Sequence, residues 1–400
     1  MTESTGPLRG IRVLDLTRVL AGPTCTQMLG DLGAEIIKIE KPGSGDDTRG
    51  FAPPFWPETK ESAYFLGVNR NKRSVTLDIA KAEGQAVIHA LLAHCDILVE
   101  NFKVGALAKY GLAWEDLRAK YPRLIYCSIT GFGQTGPYAP RPGYDSLIQG
   151  MGGVMSLTGE PDGLPQKVGV PVADLFAGLY GCIGILAAVN HRHATGEGQQ
   201  VDIGMLDTHV AWLANQGMNY LATKQDPERL GNQHPNIVPY QVFPTLDGYM
   251  VLSIGNDPTW ERSCKAFAQE HLLADERFAT NAARVGNRQL VTDTLTPLMR
   301  TRRTTEWVEA LEALKIGCGP INTLEQVFAD PHVQARGMVV EMEHPTGPIE
   351  VIANPVRLSG TPADYRRPPP VLGEHNDEVL RGLLGMDEAE VAALRAKGVM

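Results

Sequence analysis

The segment Ile11–Lys41, IRVLDLTRVLAGPTCTQMLGDLGAEIIKIEK, holds two short apolar runs around a stretch of small residues. The first run, 11–17, and the last, 35–41, are compact and rich in Val, Ile and Leu, as buried strands are. The intervening 21–34 segment has the length and small-residue composition of a helix. Strand, helix, strand over some thirty residues is a parallel unit with a right-handed crossover. The same alternation continues with strands at 73–79, 96–102 and 122–133 and a helix at 81–95. An α/β fold with a parallel sheet follows.

Beyond Asp174 the sequence describes a long helix that stops at Gly196 and Gly198, then a short strand and another helix. Texture then changes. The segment 237–255 reads as two strands around a Leu-Asp-Gly turn, and helical patterns follow at 258–270 and 304–315. The organisation expected is a large α/β domain over 1–224, a small inserted α+β domain over 225–325, and a return to the large domain over 326–400.

Composition narrows the function. A net charge of −9 argues against a nucleic-acid partner, because phosphate contacts require excess Lys and Arg. The start, MTESTGPLRG, lacks the basic-then-apolar pattern of a secretory signal, and the apolar run 182–189 is too short to span a bilayer. Six scattered cysteines without a CxxC pair fit neither a zinc site nor a disulfide framework. A cytoplasmic protein without a membrane or nucleic-acid partner is expected.

Several catalytic signatures are missing. The turn after the first strand is RVLAGP rather than G-x-G-x-x-G, so a nicotinamide or flavin fingerprint is lacking. No P-loop, no HExxH motif and no G-x-S-x-G elbow occurs. Two features remain. Lys38, Lys41, Arg49, Arg70, Lys72 and Arg73 gather around the early strand ends, either as a solvated rim or as a phosphate site. Asp174 is the one charge within VGVPVADLFAGLYGCIGILAAV, residues 168–189. Such a carboxylate is either an N-cap or a nucleophile stabilised by the helix start, with Gly169 and Gly178 leaving room for a ligand.

Six collinear segments, RVLDLTRVLAGPTCTQMLGDLGAEIIKIEKPGSGDDTR, NRNKRSVTLDI, DILVENF, ITGFGQTGPYAPRPGYD, VADLFAGLYG and PPPVLGEHNDEVL, resemble the family III (CaiB/BaiF-type) coenzyme A transferases over nearly the whole chain. The resemblance implies that Asp174 is the nucleophile, passing through an aspartyl-acyl anhydride and an aspartyl-CoA thioester. It implies contacts to coenzyme A (CoA) from Leu20, Ala21, Lys41, Leu77, Asp78, Ala80, Asn101, Phe102, Lys103 and Lys109, and from Tyr144 and Asp145 near the thioester. No permanently bound cofactor is implied; CoA and acyl-CoA are substrates. It further implies a Rossmann-like large domain with a smaller inserted α+β domain, and an interlocked-ring homodimer.

Leu20 stands where the formyl-CoA transferases have a glutamine, and SIGND at 253–257 replaces their glycine-rich flap. The pattern resembles instead members that move CoA from succinyl-CoA to dicarboxylic acids. Arg18, Arg141, His234, Gly255 and Asn256 are candidates for holding the acceptor acid. Two rivals stand beside this reading: an α-methylacyl-CoA racemase and a catalytically silent CoA-binding protein. The racemases carry a histidine in a GHD segment where this chain has Tyr144, and a tyrosine hydroxyl is a poor base at neutral pH.

Overall fold

The computed structural model describes residues 5–400, so the first four residues of the polar N-terminal stretch lie outside it. The chain forms two compact units. The first takes the chain up to Gly153, then Val168–Leu213 and Gln334–Met400; the second takes Val154–Lys167 and Ala214–Val333. The smaller unit is therefore wider than the expected 225–325 and includes a short excursion ahead of the long helix.

The first unit is built on six strands, β1 (Arg12–Asp15), β2 (Glu35–Glu40), β3 (Lys72–Thr76), β4 (Ile97–Glu100), β5 (Ile125–Thr130) and β6 (Gln200–Gly204). Their order is β3-β2-β1-β4-β5-β6, and all five pairings are parallel. Successive residues point to opposite faces, and both faces are covered, which explains the unbroken apolar runs. Val13, Ile36, Ile97 and Ile125 enter one core; Leu14, Ile37, Leu98 and Tyr126 enter the other. The strand order reverses between β1 and β4, the place in such sheets where a crevice opens beyond the strand ends.

Helix α1 (Ala21–Asp31) and the 24-residue helix Val172–Thr195 fill the first core. A Cβ on Gly178 would lie 2.6 Å from the Ala21 carbonyl oxygen, so this glycine lets the two helix backbones meet. It makes room for α1 rather than for a ligand. The long helix is apolar and long enough to cross a membrane by length alone, whereas the 182–189 run taken by itself is not. Here half of its apolar window is buried, with Ala177, Cys182, Ile185 and Ala188 among the core residues that line it.

The second unit has its own core around Phe243, Trp260, Phe278 and Trp307. Its sheet pairs β7 (Tyr240–Pro244) with β8 (Tyr249–Ser253), the expected hairpin, and β8 with β9 (Gly317–Pro320), all antiparallel.

Candidate active site

The turn from β1 into α1 is held in a conformation the chain would not choose by itself. Val19 has φ of 69°, in the left-handed region, which is unfavourable for a β-branched residue. Three neighbours hold it there. The Val19 N–H donates to Asp46 Oδ1 at 3.2 Å, and the Lys38 ammonium donates to the Thr17 carbonyl at 2.8 Å. From beyond β4, Asn101 accepts from the Arg18 N–H at 3.0 Å and donates to the Arg18 carbonyl at 2.7 Å. Strain of about 1–3 kcal/mol at one residue persists only where surroundings over-determine it.

Those surroundings are a buried ionic network. Asp15, at the end of β1, accepts from Thr17 and Thr26 and lies 3.3 Å from the Lys72 ammonium. Lys38 pairs with Asp46 at 2.8 Å, and Asp46 also accepts from Thr48 N and Oγ. Desolvation would raise both carboxyls, but the lysines and hydrogen bonds win: Asp15 is held below the ordinary aspartate range, and Asp46 is held down to about 2. Burial pushes Lys72 down to about 8 despite Asp15.

The basic rim read from the sequence is thus largely internal. Lys38 binds Asp46, Arg49 binds Glu40, Arg70 binds Asp31, Lys72 binds Asp15, and Arg73 binds Glu35 and Glu378. Of the six, only Lys41 is exposed without a carboxylate partner among the described residues.

Two adjoining cavities open above the β1–β4 switch point, sharing Arg18, Asp47 and Phe102 as walls. The first, about 350 Å³, is lined by Lys41, Leu77, Asp78, Ile79, Ala80 and Lys109. The second, about 530 Å³, is lined by Leu20, Ala21, Asn101, Lys103, Arg141, Tyr144 and Asp174. Residues scattered through the sequence from Leu16 to Met205 therefore line two neighbouring cavities with three walls in common. Arg18 is already paired with Asp47 at 3.1 Å, whereas among the described residues Lys103 has no side-chain partner and Arg141 lies over the Tyr138 ring at 3.9 Å. Lys81, beside Ala80, does not line the cleft: carbonyl oxygens of residues 397 and 398 hold its ammonium.

Close packing of two backbones carries the PGYD segment to this cleft. A Cβ on Gly131, just after β5, would lie 2.5 Å from the Gly143 Cα, and one on Gly143 would lie 2.2 Å from the Gly131 Cα. Only glycine at both positions allows this contact. Tyr144 is consequently exposed at the rim, and Asp145 reaches the start of the long helix.

At that helix start the sequence reading needs revision. Asp174 is not the N-cap; Pro171 occupies that position, and Asp174 is the third helical residue. The cap is supplied from outside, by Asp145 Oδ1, which accepts from the Ala173 N–H at 2.9 Å, while its Oδ2 accepts from Gln149 at 2.7 Å. Asp145 lines neither cavity; it anchors the helix that carries Asp174. Asp174 is itself left without a hydrogen-bond donor among the described residues, in the wall of the larger cavity. Burial, and then the negative charge of Asp145, push its carboxyl up to about 7. Against the first-turn dipole, desolvation dominates.

Sequence reasoning passed over Tyr64. Its ring packs edge-on against Phe51, a wall of the Asp174 cavity, at 5.6 Å. Burial, then Asp174 and Asp145, push its hydroxyl up to about 12, keeping it a donor near the carboxylates. Its signal was an aromatic within a six-residue helix, too short to show periodicity. His234, Gly255 and Asn256 belong to the second unit and line neither cavity. There His234 stacks on Tyr240, and Asn256 caps the helix Asp257–Ala266 through Thr259 N.

Residues 8–376 match the model of CoA-transferase family III. The chain is a family III CoA-transferase. It is 49% identical to the succinate–glutarate CoA-transferase of Agrobacterium fabrum over 388 residues, 96% of this chain and 97% of that one. It is 42% identical to the succinyl-CoA:glutarate CoA-transferase of Homo sapiens over 395 residues, 98% of this chain and 90% of that one. Among solved structures, a CaiB/BaiF family protein from Brucella suis superposes with a TM-score of 0.83 at 46% identity, covering 95% of this chain and 99% of its own. The enzyme class expected from the six collinear segments is therefore established, as is the parallel α/β sheet.

Proposed function

We propose that this enzyme moves CoA from succinyl-CoA to a dicarboxylic acid, glutarate being the first acceptor to test. Relatives named for succinate or succinyl-CoA with glutarate, at 42–49% identity, support that choice. The observation that carries the mechanism is a carboxylate without a protein donor at the wall of the larger cavity.

In this reading the CoA nucleotide end occupies the Lys41–Ala80–Lys109 cavity and pantetheine runs past Phe102 to Leu20 and Ala21. Lys41 and Lys109, without carboxylate partners among the described residues, meet the phosphates. The thioester lies beside Asp174. Its ionised oxygen attacks the thioester carbonyl carbon; the C–S bond breaks, giving a mixed anhydride and CoA thiolate. The thiolate attacks the Asp174 carbonyl carbon, releasing succinate and leaving an aspartyl-CoA thioester. The acceptor carboxylate attacks that thioester, and the thiolate returns to the acceptor's acyl carbon, freeing Asp174. Each step exchanges one activated acyl bond for another, so no energy source is needed and water is the competitor to exclude.

Arg141 suits the acceptor's far carboxylate better than Arg18 does, because Arg18 is neutralised by Asp47. Apolar side chains exposed along the long helix, Leu179, Tyr180 and Ile183, with Leu147, Met151 and Val210 nearby in sequence or fold, support the interlocked homodimer. Sedimentation on dilution should then show no folded monomer.

The test is a panel of dicarboxylic acids incubated with succinyl-CoA, with products identified by mass. Glutaryl-CoA formation that requires Asp174 supports the reading; equal transfer to monocarboxylic acids, or none to any acid, overturns it.

A further inference from the structure

The loop after β3 forms one wall of the smaller cavity, through Leu77, Asp78, Ile79 and Ala80. Its conformation is fixed from behind by the last residues of the chain. The Asp78 N–H donates to the Val399 carbonyl at 2.7 Å. The Lys81 ammonium donates to the Lys397 carbonyl at 2.6 Å and to the Gly398 carbonyl at 2.9 Å. Lys397 in turn pairs with Glu83 at 2.8 Å. Val399 is fully buried in the same core as Leu77, and Gly398, at φ of 63°, turns the chain so that its carbonyl faces Lys81. The helix Glu388–Ala396 and the following residues thus end on the back of the cleft loop.

We infer that residues 397–399 are a positioning element for the nucleotide end of the CoA site, acting through Lys81 on the Asp78–Ala80 wall. The inference rests on placing the nucleotide in that cavity. Lys81 touches no substrate: its ammonium faces backward, bridging two carbonyls that would otherwise lack a partner from this loop. Releasing it lets the wall relax, which penalises binding of the nucleotide and leaves the acyl-transfer steps at Asp174 untouched.

The experiment compares KM and kcat for succinyl-CoA and for succinyl-pantetheine, which lacks the nucleotide. In Lys81→Met, KM for succinyl-CoA should rise about three- to tenfold, the net worth of an ordinary hydrogen bond, with kcat unchanged and no rise for succinyl-pantetheine. Gly398→Ala keeps the Lys81 charge but disturbs the turn that presents the carbonyl, and should move KM in the same direction. A KM that rises in Lys81→Met alone would mean direct attraction to phosphate and would overturn the brace. Equal losses with both donors would mean general damage to the fold, and would also overturn it. Lys41→Ala tests the underlying placement separately: if it does not raise KM for succinyl-CoA, the nucleotide lies elsewhere. If it does while Lys81→Met and Gly398→Ala do not, the placement stands and the brace fails.

Discussion

Two groups of carboxylates in the same unit experience burial in opposite ways. Asp15 and Asp46, under the β1–α1 turn, are each surrounded by a lysine and hydroxyl or amide donors, and are held low. Asp174, at the cleft wall, has no donor among the described residues and a like charge nearby, and is pushed up to about 7. Burial is shared; satisfaction is what differs. A saturated carboxylate is spent on structure, since its lone pairs are occupied and its charge compensated. One left bare is destabilising to the fold and available to an electrophile, the combination expected at a reacting centre.

The largest effect should come from removing the bare member. Asp174→Ala is expected to lower turnover by on the order of 10³-fold or more while leaving CoA affinity measurable by calorimetry. Turnover near that of the unaltered enzyme would erase the distinction between the two groups.

Next is the saturated member. Asp46→Asn strips the charge from a buried pair, leaving Lys38 uncompensated, and should cost roughly 3–5 kcal/mol in denaturant unfolding. Because the Asp46 carboxyl titrates lower when folded than unfolded, its contribution is complete above the ordinary aspartate range and disappears as pH falls toward about 2. The stability gap between Asp46→Asn and the unaltered chain should narrow in acid accordingly.

Asp174 has the reverse sign. Its folded carboxyl titrates above its unfolded value, so the buried anion penalises stability increasingly from pH of about 4 up to about 7 and fully beyond. Asp174→Asn should therefore be more stable than the unaltered chain at pH of about 8, by up to a few kcal/mol, with the advantage shrinking toward acid. Thermal melts at several pH values measure it; a melting temperature lowered at alkaline pH would contradict the contrast.

The smallest effect concerns the neighbour. The acid limb of kcat/KM should fall near pH of about 7, since only the ionised Asp174 attacks. Asp145→Asn removes a like charge while keeping an oxygen for the Ala173 N–H, so that limb should move to lower pH. An unmoved limb would assign the elevation to burial alone.

How far all this was legible follows from the same contrast. The parallel sheet was visible because Val13–Leu14 and Ile36–Ile37 bury both faces of their strands, leaving unbroken apolar runs. Asp174 was visible because it is alone in an apolar helix, though its helical position and its cap by Asp145, 29 residues earlier, were not. The basic rim misled because Lys38 and Lys41 differ only in that one points beneath the turn to Asp46 and the other lies past the strand end, a matter of tertiary placement. Strand β9, Gly-Cys-Gly-Pro, carries no β-forming side chains and exists through its pairing with β8. Asn256 shows the converse: an amide that looked like a ligand is a helix cap.

Isotope tracing puts the covalent role of Asp174 to the most direct trial. In the proposed sequence the acceptor's carboxylate oxygen bridges the second anhydride and stays on Asp174 when the thiolate departs with the acyl group. Turnover of succinyl-CoA with heavy-oxygen-labelled glutarate should therefore place one labelled oxygen in the Asp174 side chain, found by mass spectrometry of the peptide spanning it, and in released succinate on later turnovers. Product formed at full rate with that peptide unlabelled would show that the acyl group never passes through Asp174.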